Sequence, residues 1–210
     1  MIENDTAGAL QRRVLAGESF DLVISSPASL QAMRQAGKIA NVEPMALARV
    51  AIGVAVAADA PAPDISTVAA FKKALSDARK VAYIDPAAGG SSGVYLDNLF
   101  ERWGMRDEIR AKAVLVPGGL VATRLLDGSA DLALHQISEI RAVPQVRLVG
   151  ALPAEIQNYT VYAAATPQSP MSPAVQDLLV FLRSPPMSAV WQEKGMESVA
   201  PHAPSDRAKP

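Results

Sequence analysis

Cysteine is absent from the 210 residues. Its absence excludes disulfides, thiolate metal sites and cysteine nucleophiles, and leaves the cellular compartment open. Histidine is scarce: His135 and His202 stand far apart, neither with a second histidine at i, i+4, which makes a poor metal-ligand set even with Gln136 and Glu139 beside His135. Neither sign of charge is in excess. The 20 Lys and Arg offset the 21 Asp and Glu without clustering, which argues against a groove for nucleic acid. No apolar run is long enough to cross a bilayer; the longest, Val50 to Ala58, reads as a buried strand of a soluble protein. The opening residues, Met1-Ile2-Glu3-Asn4-Asp5-Thr6, are acidic and polar where an export signal needs a basic stretch followed by an apolar one.

What is present is a chain half apolar in composition, enough for one large core or two small ones. Strands alternate with helices, the pattern of an α/β protein with a largely parallel sheet. Strands are expected at Phe20 to Ile24, Val50 to Ala57, Lys80 to Ile84, Ala113 to Val116, Asp131 to Leu134 and Asn158 to Ala165. Helices are expected at Pro27 to Ala36, Val68 to Ala78 with Ser66 as its N-cap, Val94 to Trp103, Leu120 to Leu126, Pro173 to Arg183 and Met187 to Gly195. The tail after Pro201 has the composition of a disordered end.

Three times a buried strand ends in small or hydroxylated residues that open a helix: Ser25-Ser26, Ser91-Ser92-Gly93 and Gly118-Gly119. The unpaired amides of a first helical turn favour negative charge, and glycine or serine lets a ligand approach that backbone closely. Serine hydroxyls add neutral donors. The same residues are also ordinary turn and capping residues, so both readings stand at this point.

Other chemistries find less support. Gly89-Gly90-Ser91-Ser92-Gly93 satisfies the G-x-S-x-G pattern of a serine hydrolase with Ser91 as nucleophile, but a triad needs a histidine, and only His135 and His202 are available. The loop lacks the lysine of a nucleotide-binding P-loop, since Val94 follows Gly93. Arg49 and Arg124 are the arginines placed to meet a carboxylate, and equally serve as solvated or packing residues. Trp103 and Trp191 lie on amphipathic helices and read as packing residues. No metal or cofactor is expected.

In order and spacing the chain resembles the periplasmic molybdate-binding proteins, a branch of the type II solute-binding proteins. The resemblance is carried by Thr6 to Gly17 with Phe20 to Ser25, by Ile84-Asp85-Pro86 followed by Ser92-Gly93-Val94-Tyr95, and by Phe181-Leu182, Ser184-Pro185 and Gly195-Met196. It implies two α/β lobes joined by two crossing strands, near Arg49 to Gly53 and Gln157 to Thr160. Residues 1–50 with 158–210 would form one lobe and 51–157 the other. It further implies the solute receptor of an ABC importer, partnered by that transporter's membrane subunits, monomeric and periplasmic. Binding would proceed by lobe closure without bond chemistry, so no catalytic residue is expected. A cytosolic ligand-sensing module is the alternative that the opening residues leave open.

The same resemblance places the ligand among Ser25, Ser26, Ser91, Ser92, Gly118, Gly119 and Gln136. Where the molybdate binders present an Asn-Val-Arg amide contact this chain has Pro117-Gly118-Gly119, and where they place a ligand tyrosine it has Gln136. These departures point to a larger carboxylate or another oxyanion. The family's first strand and first ligand serine would lie upstream of Ile2, between the strands at Phe20 and Val50, leaving unpaired ladder bonds unless a neighbouring chain supplied them.

Overall fold

A computed structural model describes residues 1–167 and 171–199; the expected disordered tail and His202 lie outside the described residues. In chain order the elements are α1 (Ala7–Leu15), β1 (Val23–Ser25), α2 (Pro27–Gln35), β2 (Met45–Ala57), α3 (Val68–Asp77), β3 (Val81–Ile84), α4 (Ser91–Arg102), α5 (Arg106–Ala111), β4 (Ala113–Val116), α6 (Thr123–Leu126), β5 (Leu132–Gln136), α7 (Ile137–Arg141), β6 (Val146–Ala151), β7 (Tyr159–Ala165), α8 (Pro173–Leu182), α9 (Pro185–Glu193) and β8 (Glu197–Ser198). The cap of α3 is Thr67, which accepts from the Ala70 amide at 3.1 Å, and not Ser66 as expected. Helix α1 was not anticipated, although its signals are ordinary. Thr6 caps it, Val14 is buried, and Gly17 follows its end at φ +95°.

Strand β2 is the spine of the molecule. Its first half, Met45 to Ala51, pairs with β7, and its second half pairs with β5 from Ile52 and with β6 from Gly53. All of these pairings are antiparallel, as is that of β1 with β7. The expectation of a largely parallel sheet therefore holds only for β3 with β4 and β5, where helical crossovers join strands in the same direction. The expected gap between β1 and β2 is likewise not found. Strand β7 occupies it, pairing Val23 with Ala165 on one side and Met45 with Ala164 on the other.

Each half of the spine carries apolar layers on both faces. Around the first half, Val14, Leu30, Met33 and Ile39 fill one layer and Leu47, Val175 and Leu179 the other. Around the second, Phe71, Tyr83, Leu96 and Phe100 form the larger layer, with Trp103 packed on Phe71 and Phe100. Ile84, Val121, Leu125 and Ile140 line the opposite face. Full burial of such a side chain is worth about 1.5–3 kcal/mol, so these layers hold the strand ends that carry the site.

Where β7 leaves β2 and β6 joins it, the side-chain amide of Gln157 stands in for backbone. The Ile52 amide donates to Gln157 Oε1 at 2.9 Å, and Gln157 Nε2 donates to the carbonyls of Ile52 at 3.0 Å and Leu152 at 3.3 Å. The ladder thus continues across the junction between the two groups of strands.

Candidate functional site

Strand β3 ends at Ile84, and helix α4 begins at Ser91, three residues earlier than the sequence suggested. Its N-cap is Gly90, which supplies no side-chain hydrogen bond. The amides of Ser91, Ser92 and Gly93 therefore form an uncapped first turn, the part of a helix that lacks intrahelical partners. Glycine is required around it by contact: a β-carbon on Gly93 would fall 2.2 Å from the Ile84 carbonyl oxygen, and one on Gly90 would fall 2.5 Å from Ile84 Cγ2. Ser92 is buried, and its hydroxyl has no hydrogen-bond partner.

Gln136 proves to be the last residue of β5, lying within the strand expected to end at Leu134. Its Nε2 donates to Ser91 Oγ at 3.0 Å and lies 3.5 Å from Thr160 Oγ1, while its buried Oε1 has no partner. The hydroxyls of Ser91 and Thr160 are 2.9 Å apart. Thr160, on β7, was missed as a site residue because a lone threonine in an apolar run reads as a strand former. Only the fold brings it to Ser91, 69 residues away.

The N-terminus of α1 is bonded to the turn that precedes α4. Thr6 Oγ1 donates to the Ala88 carbonyl at 2.9 Å and accepts from the Ala9 amide at 3.1 Å, while the Gly8 amide donates to the Gly89 carbonyl at 3.2 Å. Gly118 faces the Thr6 methyl, which would sit 3.9 Å from a β-carbon there. Gly118 and Gly119 do not open a helix, contrary to expectation. Gly119 has φ +80°, and the four-residue α6 starts only at Thr123.

Ser25 ends β1 opposite Ala163, buried and with its hydroxyl unpartnered. Ser26 caps α2, accepting from the Ser29 amide at 3.4 Å, so its hydroxyl has the capping role that the sequence allowed. Ser29 in turn donates to the Ala7 carbonyl at 3.0 Å, joining α2 to the start of α1. The structure thus joins Ser91 directly to Gln136 and sets Gly118 beside Thr6. Ser26 is linked to α1 only through Ser29, and neither Ser25 nor Ser26 has a hydrogen bond to Ser91 or Gln136 among the described residues.

Among the described residues no cation joins this group. Arg49 is paired with Glu197 at 2.6 Å and stacks 4.5 Å over the Tyr159 ring, and Arg124 lies 3.5 Å from Asp127. Ser91 touches Thr160 and Gln136 rather than a histidine, so the nucleophile-to-base contact of a hydrolase is missing among the described residues. His135 is buried, with its Nε2 on the Glu139 carboxylate, and strand alternation puts it on the face of β5 opposite Gln136. Among the described residues no cluster of three metal-ligating side chains occurs. Among the described residues the Ser92 hydroxyl, on the uncapped turn itself, and Gln136 Oε1, whose amide nitrogen bonds Ser91, are buried without partners, as is Ser25 Oγ at the end of β1. Such atoms cost about 1–3 kcal/mol each when left unsatisfied. The first-turn amides and the Ser92 hydroxyl are neutral donors that suit a desolvated anion, whereas Gln136 Oε1 is an acceptor. A separate cavity of about 210 Å³, lined by Ile24, Leu47, Tyr162, Trp191 and Met196, is mainly apolar. There burial, with the Glu139 carboxylate nearby, pushes the Tyr162 phenol up.

Comparison with known proteins gives the family and the fold. A family profile described as bacterial extracellular solute-binding protein matches residues 2–197. An aconitate isomerase from a Pseudomonas species is 34% identical over 197 residues, covering 93% of this chain and 74% of that protein. The periplasmic molybdate-binding protein of Azotobacter vinelandii superposes with a TM-score of 0.73 at 18% identity, over 96% of this chain and 87% of that one. The sulfate-binding protein SubI of Mycobacterium tuberculosis H37Rv gives 0.69 at 18% identity, over 93% and 75%. The fold is that of the type II periplasmic binding proteins.

Proposed function

Because this chain belongs to the bacterial extracellular solute-binding protein family, we propose that it captures a small organic carboxylate at the N-terminus of α4. The first group of strands, within residues 1–50 and 158–199, and the second, within residues 51–157, act as the two lobes that close on it. Ser25, Ser91, Ser92, Gly118, Gly119 and Gln136 line the site, and Ser26 supports it as the cap of α2. The observation that carries this reading is the uncapped first turn of α4 together with the buried Ser92 hydroxyl, which no described residue satisfies. An anion there would meet amides, a hydroxyl and the positive end of a twelve-residue helix. A carboxylate is preferred over molybdate because the 34% identical relative is named for an organic tricarboxylate. The solute would pass to the membrane subunits of an ABC importer in the periplasm, without bond chemistry.

Calorimetric titration with aconitate, citrate, succinate, sulfate and molybdate tests this. Saturable binding of an organic acid and none of molybdate is expected; binding of molybdate alone would overturn it. A second reading, isomerisation of the bound acid, is favoured by the same relative. Proton NMR of trans-aconitate left with the protein separates the two: an unchanged spectrum supports capture, and appearance of the cis isomer supports an enzyme.

A further inference from the structure

We infer that the ligand of this site brings an O–H donor of its own and that Gln136 is the residue that reads it. The inference rests on the carboxylate reading above and narrows it. Gln136 is 5% exposed, so its side chain is withdrawn from bulk solvent. The nitrogen end is committed to Ser91 Oγ at 3.0 Å, with Thr160 Oγ1 at 3.5 Å, and those hydroxyls are held to each other at 2.9 Å. This pair fixes the amide and leaves Oε1, a pure acceptor, buried and unpartnered.

Through its bond to Ser91, the first residue of α4, Gln136 stands at a turn whose other open groups among the described residues, the first-turn amides and the hydroxyl of Ser92, are donors or can become donors. An acceptor in such company repels the oxygens of a fully deprotonated anion and gains a bond from a ligand hydroxyl or from a carboxyl that keeps its proton. A site built to bond a ligand hydroxyl discriminates against the analogue without it, because its own polar atom is then left unpaired. The ligand class is therefore a hydroxycarboxylate or a partly protonated polycarboxylate. Gln136 is the specificity determinant, and Ser91 and Thr160 are its positioning residues.

Matched acids test this by calorimetry on the whole chain: malate against succinate and citrate against tricarballylate, at about pH 8, where free carboxyls are ionised, and again at about pH 5. The expected result is binding about tenfold tighter for the hydroxylated member of a pair. If the donor is instead a carboxyl proton, the affinity of the unhydroxylated acids rises by a similar factor on acidification. The variant Gln136→Met removes the acceptor and is expected to bring each pair within about twofold. The variant Gln136→Glu retains an acceptor and is expected to keep the preference, which guards against misfolding of the first variant. Equal affinities at both pH values, or a preference for the unhydroxylated acid at about pH 8 as a reversed amide would give, overturn the inference and leave the carboxylate reading intact. No binding of any of the four acids overturns both.

Discussion

Gly8 and Gly89 approach so closely that neither can carry a side chain. The Gly8 amide donates to the Gly89 carbonyl at 3.2 Å, and a β-carbon on Gly8 would fall 2.8 Å from Gly89 Cα. The contact fastens the start of α1 to the turn that leads into α4, so under the proposed two-lobe closure it would form only in the closed state. Gly8→Ala separates closure from stability, because alanine favours helix α1 by about 1 kcal/mol over glycine while breaking the clasp. The expected outcome is an unchanged or raised melting temperature with ligand affinity reduced about tenfold, a loss of about 1.4 kcal/mol. Unchanged affinity in calorimetry would show that the clasp plays no part in binding.

Ser92 carries a buried hydroxyl that no described residue satisfies. Ser92→Ala is therefore expected to leave thermal stability equal or higher, since the hydroxyl contributes only its desolvation cost of about 1–3 kcal/mol. Affinity for the carboxylate is expected to fall about tenfold. A large loss of stability would mean that the hydroxyl has a structural partner instead.

Gln157 completes the ladder at the junction of the two groups of strands through its bonds to Ile52 and Leu152. Gln157→Ala orphans the Ile52 amide, and urea denaturation is expected to show a loss of about 1–3 kcal/mol. A change below about 0.5 kcal/mol would place this residue with ordinary surface positions.

Tyr83 is fully buried, with its hydroxyl 3.4 Å from Asp97 Oδ1. Burial pushes its phenol up to about 12, Arg110 offsetting part of the effect and Asp97 adding to it. The folded protein thus holds this proton where the unfolded chain has released it. Stability from Tyr83 is complete below about pH 10 and is lost as pH rises from there towards 12, amounting to about 2–3 kcal/mol in full. Tyr83→Phe is expected to flatten this alkaline limb in denaturation curves taken across that range. An identical alkaline slope in the variant would contradict the assignment.

Much of this was legible in the sequence, and the misses share a cause. Helices α2, α8 and α9 follow from Pro at their first turns, and α4 from its apolar spacing, because these signals are local. The direction of the sheet was misread because β2 pairs with strands that return from distant parts of the chain, which periodicity does not report. Ser91 and Gln136 were both named from the sequence and lie in contact, but Thr160 and Thr6 complete their surroundings through contacts 69 and 82 residues apart in sequence. Gly118-Gly119 looked like a third helix opening because glycine suits both a turn and a helix start, and only the late onset of α6 separates them.

The central claim is that a carboxylate sits on the first turn of α4. Backbone amide shifts in a proton–nitrogen NMR titration with citrate test it most directly. Saturable movement of the Ser91, Ser92 and Gly93 amides, with the Gln136 side-chain amide following the same curve, is the result this account predicts. Binding that leaves those amides still and moves Tyr162 and the Trp191 indole in the apolar cavity would contradict it.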